Sequence, residues 1–265
     1  MNILITNDDG YNAKGILALK EALDELDFTR TTIIAPKSEQ SATSHKLTIH
    51  DTLKLHQVAS EHYYVENGSP TDCVLLGLQT VFKDEKVDLV VSGVNHGCNI
   101  GEDITYSGTV GAAMEAILHD IGAIAISKYY NKLSSLEFEG AKKVIQDVVT
   151  GIHNHSFPLP QRRLLNINIP ATTLENFQGY QVTKMGHKLY KDFATIVEQK
   201  DQKGDKCYRF GLNSIEFREE NTEIMTDYEA LQHNYISITP IKIDLTDKQE
   251  IPKLKEWMKK IEREK

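Results

Sequence analysis

Asn2–Thr6 is a short Ile/Leu run that ends in the polar turn Asn7-Asp8-Asp9-Gly10. The apolar residues that follow, Ile16, Leu19, Leu23 and Leu26, fall on one helical face. Residues 31–35 form a β-branched run stopped by Pro36. Strand, helix and strand within so short a stretch make a βαβ unit, and such a unit requires a parallel sheet with helices on its faces. The pattern recurs. Residues 87–92 read as a strand entering a Gly-rich segment, 93–101, and residues 107–119 as a helix rich in small side chains. Residues 123–127 read as a strand, 136–149 as a helix and 164–169 as a strand stopped by Pro170. Residues 1 to about 175 are therefore expected to form the core of a doubly wound, mostly parallel α/β fold.

The rest of the chain has a different texture. Residues 178–190 and 208–217 are strand-like, with the polar stretch 198–206 between them, and predict a long hairpin arm. Residues 235–240 predict a returning strand. Residues 247–263 predict a charged terminal helix, with Pro252 tolerable only near its first turn. Leu254, Trp257 and Ile261 give that helix one apolar face, for docking or for contact with another subunit. The whole span 1–265 is read as a single α/β unit carrying this arm and helix.

Composition narrows the function. Lys and Arg number 30 against 38 Asp and Glu, a net charge of −8, whereas a nucleic-acid backbone binder needs excess cationic side chains. Three cysteines without paired spacing argue against a disulfide framework or a Cys-based zinc site. No basic leader and no run of 18 apolar residues is present. The expectation is a cytoplasmic protein with neither a membrane nor a stable nucleic-acid partner.

In an open parallel sheet, ligands bind beyond the carboxyl ends of the strands, which selects three loops. The first holds Asp8 and Asp9, where a dinucleotide-binding fold would offer bare backbone amides to a diphosphate. One Asp could simply cap the following helix. Two adjacent carboxylates make better sense with a cation between them and a phosphate, and Gly10 frees the backbone to turn them to one side. The second loop, 38–45, is rich in hydroxyls and is either an ordinary connection or a source of hard oxygen donors. The third, 92–101, combines three glycines with Asn95 and Asn99, and leads to Asp103 and to Ser107-Gly108-Thr109 opening a helix. Asn amides can ligate a hard cation or donate to phosphate, and the helix N-terminus either holds an anion or is simply capped by Ser107. An all-oxygen set with two negative charges suits Mg²⁺ or Mn²⁺ rather than zinc.

His153-Asn154-His155, in what reads as a polar loop, predicts surface histidines, and His119-Asp120 a helix end. Cys98 reads as a small buried side chain.

Several segments together resemble the SurE survival proteins, a family of metal-dependent 5′/3′-nucleotidases. They are residues 3–10, Ala35-Pro36 with Gln40-Ser41-Ala42-Thr43, residues 68–74, 91–97 and 106–113, Thr226-Asp227-Tyr228, and residues 235–240. The similarity runs over nearly the whole chain. It implies one divalent ion on Asp8, Asp9, Ser41 and Asn95, with phosphate contacts at Asn95, Ser107, Gly108 and Thr109. It also implies a Rossmann-like fold whose arm pairs or swaps to give a homodimer or homotetramer. Ser44 departs from the glycine found at this place in many relatives. The expected activity is hydrolysis of nucleoside 5′- and 3′-monophosphates by metal-activated water, with Asp8, Asp9 and Asn95 as the catalytic residues. Two rival readings are a covalent aspartyl-phosphate phosphatase, which wants carboxylates at i and i+2, and a nucleotide-binding module without catalysis.

Overall fold

The computed structural model describes residues 1–130, 137–191, 194–198, 207–210, 214–218 and 223–263. Its core is a nine-stranded sheet. The chain runs β1 (Asn2–Thr6), α1 (Lys14–Asp24), β2 (Arg30–Pro36), β3 (Lys54–Ala59), β4 (His62–Glu66), α2 (Pro70–Gln79) and β5 (Leu89–His96). Next come α3 (Gly108–Leu118), β6 (Gly122–Lys128), α4 (Glu139–His155), β7 (Arg163–Ile169) and β8 (Tyr180–Val182). The arm strands are β9 (Lys188–Lys191), β10 (Ala194–Glu198), β11 (Cys207–Phe210) and β12 (Ser214–Phe217), followed by α5 (Asp227–Gln232), β13 (Ile236–Lys242) and α6 (Ile251–Arg263).

The spatial order is β3-β4-β2-β1-β5-β6-β7-β13-β8. Pairing is parallel from β4 through β7, while β3 and β13 run antiparallel to their neighbours β4 and β7. The mostly parallel α/β architecture expected from the sequence is present. Alternation along β1 explains the two layers. Ile3 and Ile5 face α1 and α4 with Ile16, Leu19, Val144 and Ile145, whereas Leu4 faces α2 and α3 with Val74, Val110 and Ile117. Each of these side chains, fully withdrawn from water, contributes roughly 1.5–3 kcal/mol.

Several boundaries differ from the sequence expectation. The strand predicted at 87–92 starts at Leu89 and runs on to His96, through half of the supposed loop. Its register shifts between Ser92 and Asn95, so β6 still follows it along its length. The segment 178–190 is not one hairpin strand. Tyr180–Val182 joins the main sheet beside β13, and only from Lys188 does the arm begin, β9 pairing with β12 and β10 with β11. Of the polar stretch predicted between the arm's strands, 199–206 lies outside the described residues. His153 and His155 stand in the last turn of α4, because that helix runs one and a half turns beyond its predicted end. The β3–β4 hairpin and α2 went unread. Ser69 caps α2 by a reciprocal capping box with Asp72, and Pro70 is its first residue, a signal present in the sequence.

Candidate active site

From β1 the chain moves outward to β2 and later returns on the other side of β1 as β5. The carboxyl ends of β1 and β5 therefore flank the switch point where α/β sheets open a crevice. Asn7 shapes the turn there. Its Oδ1 accepts from the Gly10 amide at 3.1 Å and its Nδ2 donates to the Gly10 carbonyl at 3.0 Å. Gly10 has φ +109°, and a Cβ at this position would lie 3.5 Å from Ser38 Cα. The tight turn expected between the two carboxylates is thus built.

Asp8 is 4% exposed. Its Oδ1 accepts from Thr109 Oγ1 at 2.5 Å and its Oδ2 from the Thr109 amide at 3.1 Å. Burial pushes its carboxyl up to about 6 against the pull of the Thr109 hydroxyl, and Asp9 raises it further. Asp9 is half-buried. Its carboxyl is also raised, first by burial and then by Glu39, although His96 draws it down and the His96 amide donates to its Oδ2 at 3.4 Å. Among the described residues neither carboxylate forms an ion pair with Lys or Arg. Thr6, at the end of β1, and Ser92, within β5 and in register with it, add buried hydroxyls with no hydrogen-bond partner among the described residues.

The loop after β2 is drawn to this point. The Gln40 amide donates to the Asp8 carbonyl at 2.7 Å, and Thr43 Oγ1 lies 2.9 Å from where a Cβ on Gly108 would stand. Ser41, next to Gln40, is exposed and donates its hydroxyl to Glu39 at 2.8 Å. Ser44 has φ +56°, the conformation for which glycine is suited, and Ser44 is held in it by its amide to the Tyr106 carbonyl and its hydroxyl to the Thr105 carbonyl.

Asn95 stands at the end of β5. Its Nδ2 donates to the Gly97 carbonyl at 2.8 Å, which orients the amide and leaves Oδ1 as its donor oxygen for a cation. Asn99, the other candidate in this segment, is committed elsewhere. Its amide donates to Asn168 Oδ1, its Nδ2 to Ser127 Oγ, and its carbonyl accepts from Asn166 and Asn168. The glycines also do less for a ligand than the sequence suggests. A Cβ on Gly93 would meet the Ile126 carbonyl at 2.2 Å and one on Gly101 the Gly186 carbonyl at 2.7 Å, so both admit neighbouring backbone. Ser107 caps α3 through its Oγ and the Val110 amide. Thr109 gives both its donors to Asp8 and so ties the helix start to the carboxylate.

Sequence reading missed Thr43, Glu39, His96 and the Thr109–Asp8 bonds, because each acts through a contact between loops far apart in the chain. Two of the histidines singled out in the sequence are structural. His119 caps α3 and bonds Glu115, and the His153 ring stacks on Phe28. Cys98 is half-buried, and burial pushes its thiol up to about 11. Among the described residues no three His, Cys, Asp or Glu side chains converge as a metal cluster. An ion here would take two carboxylates and complete its shell with neutral oxygens, which is the preference of Mg²⁺ and Mn²⁺. Paired carboxylates withdrawn from water without a cationic partner fit such an ion.

Residues 3–192 match the family described as Survival protein SurE. A 5′-nucleotidase SurE of Campylobacter concisus is 43% identical over 96% of this chain and 96% of its own. One of Sulfurimonas denitrificans is 43% identical over 97% and 98%. The crystal structure of the SurE protein from Aquifex aeolicus superposes with a TM-score of 0.82 at 36% identity, covering 97% of this chain and 100% of that one.

Proposed function

Given that this chain belongs to the SurE survival-protein family, we propose that the crevice between β1 and β5 is its phosphomonoesterase site. The protein is a 5′-nucleotidase that releases phosphate from nucleoside monophosphates. Asp8, Asp9, Ser41 and Asn95 would hold one divalent ion, Mg²⁺ or Mn²⁺, which when bound would supply polarisation of a phosphoryl oxygen and activation of water.

The chain's own residues do the remainder. Thr109 locks the Asp8 carboxylate in place through two hydrogen bonds. Asp9, the more exposed of the pair, faces the crevice and accepts a proton from the attacking water. Ser107 caps α3, and the start of that helix at Gly108 directs its positive end toward the equatorial phosphoryl oxygens, with Asn95 beside it, while the donors of Thr109 stay on Asp8. The observation that carries this reading is the buried Asp8 beside the half-buried Asp9 at the switch point, neither paired with Lys or Arg among the described residues. It also disfavours the covalent rival, since both Asp8 oxygens are engaged by Thr109. The finer assignments, 3′-monophosphates as further substrates, a cytoplasmic location and self-association through the arm and α6, belong to the same proposal. Among the described residues no helix is long and apolar enough to cross a membrane.

The test is AMP turnover by purified protein with Mg²⁺ or Mn²⁺, with EDTA, and in Asp8→Asn and Asp9→Asn. Chelation and either substitution are expected to lower kcat by at least about a hundred-fold. Undiminished turnover in EDTA and in both variants would overturn the proposal.

A further inference from the structure

Asn95 leaves β5 in register with Ser127 of β6, and Ser127 is in register with Asn168 of β7. The three make one polar row across the carboxyl ends of parallel strands, on a face otherwise packed with Leu4, Val90, Ala125 and Leu164. Asn166, two residues earlier on β7, faces the same way. Ser127, Asn166 and Asn168 are fully buried. Side-chain amides in such surroundings destabilise the fold unless their polar atoms are bonded. What these amides bond therefore shows what the row does.

They bond the main chain of one residue. Asn168 accepts from the Asn99 amide on Oδ1 at 2.8 Å and donates Nδ2 to the Asn99 carbonyl at 3.0 Å, as the backbone of a neighbouring strand would. Asn166 donates a second bond to that carbonyl at 2.8 Å, and Asn99 Nδ2 donates to Ser127 Oγ at 2.8 Å. Between this anchor and the end of β5 stands Gly97. Its amide donates to the Lys128 carbonyl at 3.0 Å, and its carbonyl accepts from Asn95 Nδ2 at 2.8 Å. The contacts thus run from Asn168 through the main chain of Asn99 and Gly97 to the side chain of Asn95. The ladder between β5 and β6 is irregular between Ser92 and Asn95, so strand pairing alone does not fix where the Asn95 amide points.

We propose that Asn168 is a positioning residue for the site. By holding the Asn99 main chain it fixes the segment 97–99 against which the Asn95 amide is oriented, and so aims Asn95 Oδ1 into the crevice. Asn166 and Ser127 support the same anchor. The inference rests on the reading of Asn95 as a ligand of the ion. A row needed only for packing is better served by leucine, of similar size, than by buried amides.

Two measurements without substrate test this: Mn²⁺ binding by calorimetry, and hydrogen exchange of the amides of residues 93–101 in metal-free protein. Asn168→Asp keeps the shape and one acceptor but puts a second acceptor oxygen where the donor to the Asn99 carbonyl stood. It is expected to raise the Mn²⁺ Kd about ten-fold or more and to speed exchange at 93–101. Ser127→Ala, the milder change, should raise the Kd about two- to ten-fold. Thr183→Val is the comparison. It removes a buried hydroxyl bonded to Ser237 and Thr239 of β13, in the same sheet but not bonded to the segment. It should lower the unfolding temperature while leaving the Mn²⁺ Kd within two-fold of wild type. Folded Asn168→Asp and Ser127→Ala proteins that bind Mn²⁺ within two-fold of wild type overturn the inference, and so does a Thr183→Val protein that loses as much affinity as they do. If Asn168→Asp does not fold, Ser127→Ala decides by the same criterion. Wild-type protein that binds no Mn²⁺ overturns the ion assignment and this inference with it, so the two failures are told apart.

Discussion

Thr109 meets Asp8 across 101 residues of sequence and binds it twice, by hydroxyl and by amide. A carboxylate oriented in this way is presented to an ion at no further ordering cost, and groups that hold ligands in place are commonly worth 10- to 100-fold in metal affinity. Thr109→Val keeps the shape and the amide bond but removes the hydroxyl. It is expected to weaken Mn²⁺ binding about ten-fold or more, read by titration, with little change in unfolding temperature. Unchanged affinity would show that Asp8 needs no such anchor. At this scale the sequence announces some things and hides others. Two adjacent carboxylates after a first strand are visible to any reader. So is Ser44 in place of glycine, which the structure explains as a left-handed backbone conformation stabilised by two carbonyl contacts. Nothing local announces Thr109 as the partner of Asp8, Glu39 as the residue raising Asp9, or Asn99 as a structural bond between strands, because each is a relation between segments.

Helix α1 crosses β5 where the strand is irregular, and Gly15 is what permits the crossing. A Cβ there would stand 2.1 Å from the Val94 carbonyl, a backbone atom that cannot rotate aside. Gly→Ala inside a helix normally adds about 1 kcal/mol of stability. Overpacking against fixed backbone costs about 1–3 kcal/mol and occasionally more, so Gly15→Ala should destabilise on balance and displace Asn95 with β5. Urea unfolding with AMP turnover checks both, and a stabilised, fully active variant would refute the argument. Helix α3 is tied to the loop after β2 in another way. Glu115 lies between His45 at 2.8 Å and His119 at 3.1 Å, and the His45 hydrogen bond first of all holds its carboxyl below the usual range. A depressed carboxylate stabilises the fold above its unfolded pKa, near 4.3, and that contribution disappears as pH falls through the folded value. Glu115→Gln is therefore expected to cost about 1–2 kcal/mol at pH 7, with the gap to wild type closing as pH falls below the unfolded value. A gap independent of pH would assign the loss to packing. The elements themselves were largely legible, since the βαβ periodicity repeats and each strand end carries a stop. What escaped was the β3–β4 hairpin, whose residues are only partly buried and so lack a clean alternation, and the exact extent of β5, which continues past glycines that the sequence presents as a loop.

On the scale of the whole molecule, α6 poses the remaining physical problem. Leu254 is 58% exposed, Trp257 55% and Met258 44%, all on a helix of 13 residues. A helix of that length is marginal in water on its own and takes its stability from packing its apolar face, yet among the described residues that face is uncovered. The sequence gives the face correctly. It cannot give what covers the face when the cover lies in another molecule. The arm adds a second projecting feature, two antiparallel ladders separate from the main sheet. A second copy of the chain would supply what α6 lacks. Leu254→Glu combined with Trp257→Glu should accordingly lower the mass measured by light scattering at tens of micromolar toward the 29.9 kDa of one chain, with a loss of helical circular dichroism as α6 frays. Because the crevice between β1 and β5 is built from core strands, turnover of a small ester such as glycerol 2-phosphate should persist in that variant. A wild-type protein that already runs as one chain under those conditions would remove the second copy from the account and leave α6 without the partner its surface requires.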